Sequence, residues 1–227
     1  MSKVTENFEL YLKATESAAI AAAQLRGNGD GKAADKVATE AMRKVLQDSE
    51  VHTRVVIGEG ERDDAPMLYI GEEMGNPESD LKIDIAVDPL ECTNHCAKDL
   101  PDALSVLAAA PRGALLNAPD TYMNKLCGSS KLIGHIALDN SVEDNLSQAA
   151  KALQKNISEL KIIVMDRERH IDLISTLKDL GVQPILIGDG DVSGGLKAAE
   201  GSVDLLYGIG AAPVSYTHLR AHETRHY

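Results

Sequence analysis

From Ser141 to Gly210 the chain alternates helix-like and strand-like segments so regularly that few architectures can hold it. Ser141 and Asp144 open a helix in the manner of a capping box, expected to run to about Asn156. KIIVMD (161–166) reads as a buried strand, and a second helix is expected from about Arg169 to Leu180. VQPILIG (182–188), the loop DGD, a short helix and VDLLYGIG (203–210) continue the pattern. Such alternation predicts an α/β fold: a parallel sheet layered with helices, whose loops at the strand C-termini are free to build a site.

The first half is less regular. Val4, Phe8, Tyr11, Leu12, Ala18, Ala19, Ala22 and Leu25 fall near one face of a helix expected over 4–25. GNGDGK (27–32) breaks it, and a second helix is expected from Ala33 to Gln47. TRVVIG (53–58) and LKIDIAVD (81–88) read as strands, and Pro66 to Met74 as a short helix with Pro in its first turn. ALSVLAAA (103–110) and GALLNAP (113–119) suggest two strands of a hairpin. The expected division is an N-terminal metal-binding α+β subdomain over 1–135, a partial C-terminal α/β subdomain over 136–213, and a tail over 214–227.

Both strands of the first half end in acid. GEGERDD (58–64) follows one, and DPLECTN (88–94) closes the other. Asp35, Glu59, Glu61, Asp88 and Glu91, with Thr93 beside the last, can therefore share a pocket where the strand ends converge. Crowded carboxylates repel one another unless cations neutralise them, and hard divalent ions such as Mg2+ or Mn2+ prefer oxygen ligands. Two such ions suit phosphate ester hydrolysis. A lone loop acid is more often a solvated or capping residue; two adjacent strand-end clusters favour the metal reading.

Charge and composition narrow the partners. Acids outnumber bases 35 to 23 for a formal net charge of -12, with no concentrated basic run, which disfavours nucleic acid and anionic membranes. Aromatics make up only 3%, with no Trp and one Phe, against a base-stacking surface. Three cysteines do not make a disulfide framework, so a reducing, cytoplasmic setting is expected. No membrane span or leader is recognisable. Cys92, His95 and Cys96 lack zinc-site spacing. GNGDGK fails the P-loop spacing, and Ala33 stands in place of the required hydroxyl, so a turn that aims Asp35 is expected. His218, His222 and His226 share a helical spacing in the tail, and a metal role for them is the weaker reading.

VIGEGERDDAPMLYIGEEMG, DIAVDPLECTN, LLNAPDTYMNKL, VMDRERH, GDGDV and LYGIGAAP together resemble the class II fructose-1,6-bisphosphatases, including the type that also accepts sedoheptulose 1,7-bisphosphate. The resemblance runs from about Thr15 to Pro213. It implies a layered α/β/α/β/α sugar-phosphatase fold, incomplete at the C-terminus, and hydrolysis of the 1-phosphate by metal-activated water. It implies that Asp35 and Glu59 are ligands of one Mn2+ or Mg2+ and Asp88 and Glu91 of a second, with Thr93, Glu59 and Glu61 as catalytic residues. Substrate contacts would fall on Glu91, Cys92, Thr93, Tyr122, Arg167, Glu168, Arg169, Asp189, Gly190, Asp191 and Ala211. A sugar bisphosphate is the expected partner, with a homo-oligomer when the chain is full length.

Three positions depart from the family pattern. Cys92 stands where Gly is usual, Glu168 where Pro is usual, and Val214 where a further metal-ligand Glu is usual. Val214 also opens VSYTHLRAHETRHY, which is foreign to the pattern, so a C-terminally truncated chain with a non-native tail is expected. The alternatives are an inactive fragment serving as a subunit or binding module, and an inositol monophosphatase-like enzyme.

Overall fold

The computed structural model describes residues 7–58, 68–115 and 121–211. It divides into two compact units, which part between Asp120 and Thr121.

In the first unit, α1 (Phe8–Ala23) and α2 (Gly31–Gln47) precede β1 (His52–Ile57), β2 (Glu73–Met74), β3 (Lys82–Glu91), the one-turn helix α3 (Thr93–Ala97) and β4 (Leu104–Pro111). The strands form one sheet in the order β2-β1-β3-β4, with β1 parallel to β3 and both outer strands antiparallel to their neighbours. Ala14, Ala18, Ala22, Ala34, Ala38, Met42 and Leu46 pack with Val55, Ile83, Ile85 and Val87 in its core.

The buried face of α1 keeps part of the expected set, Tyr11, Ala18 and Ala22, but takes Ala14 in place of the larger residues. Phe8 is 61% exposed and Leu12 43%, whereas Ala14, Ala18 and Ala22 at i, i+4 and i+8 are buried. Small side chains let α1 lie close to α2, and close approach gains more dispersion contact than burying the larger residues in a wider gap. Val4 lies outside the described residues.

Two other expectations change. Leu68 to Met74 is not helical: Leu68 (φ 54°) and Gly71 (φ +91°) adopt left-handed backbone, and Glu73–Met74 pair with β1 as a strand. Pro66 lies outside the described residues. β4 joins β3 from Ile83↔Pro111 to Glu91↔Leu104, and of the strand expected over 113–119 only 113–115 are described, as a turn after β4. Residues 116–119 lie outside the described set.

The second unit holds β5 (Tyr122–Gly128), α4 (Val142–Leu153), β6 (Ile162–Met165), α5 (Ile171–Asp179), β7 (Ile185–Ile187), α6 (Asp191–Glu200) and β8 (Leu205–Ala211). Its sheet runs β5-β8-β6-β7, with β6 parallel to β7 and β8, and β5 antiparallel to β8. TYMNKL was not expected as a strand, and its pairing with β8 places it in this unit, ahead of the division expected at 135. Leu146, Ala149, Leu177 and Leu205 build one core, and Ile163, Ala198, Val203 and Leu206 another. Helices therefore layer the sheet as the alternation predicted.

The Ser141 side chain caps α4 by accepting from the Asp144 N–H at 3.0 Å. Each unit is a layered α/β structure. No helix among the described residues is long and apolar enough to cross a membrane.

Candidate functional site

In a regular strand, residues three apart face opposite sides, which would separate Asp88 from Glu91. The pairing with β4 corrects this. Asp88 pairs with Val106 and Glu91 with Leu104, so three steps on β3 match two on β4. The extra residue is a bulge at Pro89–Leu90, and it turns both acids to one face. Pro is tolerated in this central strand because a bulge releases its nitrogen from the ladder. Asp88 Oδ1 accepts the Leu90 N–H at 3.1 Å, bracing the turn.

Asp35 comes to this place from α2. Its carboxyl is raised to about 6, first by burial and then by the charge of Asp88. Two carboxylates sharing a poorly solvated space are what a hard divalent cation neutralises, and an all-oxygen donor set fits Mg2+ or Mn2+. Among the described residues no three His, Cys, Asp or Glu side chains converge closely enough to hold an ion by themselves. Glu59 and Glu61 lie outside the described residues.

GNGDGK is the tie between these segments. Gly27 and Gly29, at φ +77° and +81°, donate their N–H groups to Cys96 O and Ala97 O, each at 2.9 Å, and so close the C-terminus of α3. Asp30 then caps α2, accepting from Ala33 N–H at 3.0 Å. A Cβ on Gly31 would stand 3.3 Å from Thr93 O, so the start of α2 abuts Thr93. The loop's backbone bonds and the Asp30 cap thereby join the start of α2 to α3 and Thr93, and α2 carries Asp35 close enough to Asp88 to feel its charge.

Cys92 occupies the N-cap of α3 with φ 65° and ψ 52°, a left-handed conformation that a Cβ disfavours. It is 6% exposed, and its Sγ lies 3.9 Å from Glu91 Oε1.

The second unit gathers the other expected residues at the C-terminal end of its parallel strands. Tyr122 on β5 pairs with Ala211 on β8. The Arg169 guanidinium lies over the Tyr122 ring, 4.9 Å from its centroid, and Arg169 Nε donates to Ile209 O at 2.9 Å. Arg167 and Glu168 follow β6 in the adjoining turn, where Arg167 Nη1 donates to Asp166 O at 3.0 Å. Asp189 and Gly190 follow β7: Gly190, at φ +93°, caps α6 and donates its N–H to Asp189 Oδ1 at 3.0 Å. Asp191 turns to Lys125 of β5, with which it forms a close ion pair.

Two further buried residues stand beside this cluster. Lys125 is 5% exposed and His170 1%. Lys125 sits in YMNKL, whose apolar and polar residues do not alternate, so no local signal marks it; His170 follows the arginine pair and could from sequence touch substrate, though a helix start explains it equally.

These features define an α/β protein in which Asp35 and Asp88 share a poorly solvated space at the end of one sheet and a cationic, aromatic strand end closes the other. The chain belongs to the family described as bacterial fructose-1,6-bisphosphatase, glpX-encoded, whose model matches residues 6–217. Among curated proteins it is similar to the D-fructose 1,6-bisphosphatase class 2/sedoheptulose 1,7-bisphosphatase of Synechococcus sp. (strain JA-3-3Ab), 46% identical over 215 aligned positions. The proteins of the same description from Thermosynechococcus vestitus and Microcystis aeruginosa are 45% and 43% identical. Each comparison covers 89% of this chain, which spans about 62% of the length of these relatives.

Proposed function

We propose that this protein is a metal-dependent sugar bisphosphatase that hydrolyses the 1-phosphate of fructose 1,6-bisphosphate, and of sedoheptulose 1,7-bisphosphate, with Mg2+ or Mn2+ as cofactor. The observation that carries the reading is the meeting of Asp35 with Asp88 at a bulge that also turns Glu91 to the same face, in a chain of this family.

Asp35 and Glu59 would hold one cation and Asp88 and Glu91 the second. When bound, such a pair supplies positive charge to the phosphoryl oxygens and lowers the pKa of water. The Thr93 hydroxyl, beside the bulge, would orient that water, and Glu61 completes the acidic set. Arg169 is a preset anion donor. With Nε engaged by Ile209 and its plane laid on Tyr122, its two terminal nitrogens are left for a phosphate, as a fork matched to two oxygens. Arg167, Asp189, Gly190, Asp191 and Ala211 border the same strand ends and would contact the sugar phosphate.

Phosphate release from fructose 1,6-bisphosphate with Mg2+ or Mn2+ tests the proposal. Asp88→Asn should lower the rate by roughly a hundredfold or more, the scale of losing one preorganised electrostatic group. No release above blank with either metal would sink the reading.

A further inference from the structure

The parallel ladder between β6 and β8 stops early. Its last pair is Ile163↔Leu206, yet β6 continues to Met165 and β8 to Ala211. Beyond that pair the strands diverge around a small cleft lined by Lys125, Met165, His170, Asp191, Tyr207 and Gly208. Backbone groups facing a gap of this kind lose their partners unless something else supplies them.

The His170 ring fills that gap. Its Nε2 lies 2.8 Å from the Ile209 nitrogen, and its Nδ1 lies 2.7 Å from Met165 O. A backbone N–H can only donate, so Nε2 is the acceptor, Nδ1 carries the proton, and the ring is the neutral Nδ1–H tautomer. One imidazole thus links the last residue of β6 to β8.

Ile209 is held twice from neighbouring positions. A residue's N–H and C=O project to the same side of a strand. On the side of Ile209 facing away from β5, the N–H goes to His170 and the C=O accepts from Arg169 Nε at 2.9 Å. Two consecutive side chains replace the missing backbone of β6. Gly208 makes room for this, since a Cβ there would come within 3.0 Å of His170 Nε2.

We infer that His170 is a positioning residue: through its bond to the Ile209 N–H it fixes the peptide on which Arg169 is mounted, and so sets the Arg169 guanidinium over Tyr122 for an anionic ligand. The anionic ligand rests on the proposed function, whereas the mounting of Arg169 does not. His170 meets the two strands and leaves the ligand to Arg169.

Two substitutions separate its two bonds. His170→Asn places an amide near the Nδ1 position and keeps only the Met165 link. His170→Gln reaches the Nε2 position and can still accept from Ile209. In the 227-residue chain, the hydrogen-exchange rate of Arg169 Nε–H, read by NMR, should rise roughly fivefold to tenfold in His170→Asn and change little in His170→Gln. The dissociation constant for inorganic phosphate should follow the same order. A general loss of packing would move both variants alike.

Equal behaviour of two cooperatively melting variants would overturn the inference. So would an Nε2–H tautomer in the 15N spectrum of the unmodified protein, a measurement that needs no variant to fold. Absence of phosphate binding to the unmodified chain would overturn the anion-site reading alone, and the exchange comparison would still decide the role of His170.

Discussion

Arg54 grips Asp84 with two parallel hydrogen bonds, Nε to Oδ1 at 3.0 Å and Nη2 to Oδ2 at 2.9 Å. Asp84 is 1% exposed, and it also accepts the Gly113 N–H at 2.6 Å and lies 3.1 Å from Arg112 Nε. It sits near the start of β3, whereas Asp88 and Glu91 stand near its end. One strand therefore carries, near its start, a carboxylate paired with two arginines and, near its end, Asp88, whose charge raises the pKa of Asp35. The first holds the sheet together, and the second is suited to a cation.

Asp84→Ala should destabilise the protein by about 3 kcal/mol, the lower part of the range for breaking a buried ion pair, because the two arginines keep partial access to water. Urea unfolding at neutral pH measures it. A loss below about 1 kcal/mol would show that water replaces the carboxylate.

Cys92 allows strain to be isolated. Cys92→Ala and Cys92→Gly both lose the sulfur, but only alanine keeps a Cβ in left-handed backbone. The glycine variant should be the more stable by about 1 kcal/mol, the scale of the left-handed penalty. Equal denaturation midpoints with equal slopes would show that the turn relaxes around a side chain.

The Tyr11 hydroxyl is buried without a hydrogen-bond partner among the described residues, and burial raises its pKa to about 12. An unfolded tyrosine ionises near 10. Between these values the unfolded chain binds fewer protons than the native one, so stability present below about pH 10 falls as pH rises through about 12. Tyr11→Phe should be neutral or stabilising at pH 7, since a buried unpaired hydroxyl is removed, and should flatten the alkaline decline. Melting temperatures from pH 8 to 11.5 report both effects.

At Gly210 a Cβ would collide with the Asp191 carboxylate and stand 2.8 Å from Lys125 Nζ. Gly210→Ala should cost about 1–3 kcal/mol through overpacking against a buried ion pair. Gly188, with nothing within 4 Å of its would-be Cβ, serves as the control, and its alanine variant should unfold close to the parent.

Much of the fold is legible in the residues themselves. The Ser141 cap, the strand over 162–165 and the helix over 171–179 follow local rules that hold whatever surrounds them. Elements chosen by a distant partner were misread. Leu68 to Met74 has the composition of a helix, but the Glu72 side chain takes both the Leu68 N–H and Arg43 Nε, and Glu73–Met74 pair with β1. TYMNKL became a strand because β8 offered it a ladder.

The candidate site divides in the same way. Residue type and spacing alone set which chemical groups are present: acids at two strand ends, an arginine pair after KIIVMD, and glycines at turns. Each follows from residue type and from the period of a strand or helix, which are local properties. Packing of the folded chain is what brings Asp35 within reach of the Asp88 charge, turns Glu91 to the same face at a bulge, and makes His170 and Arg169 clasp Ile209. Those relations depend on register and on how far neighbouring strands diverge. Register is settled by packing between residues far apart in the chain, so no local pattern encodes it.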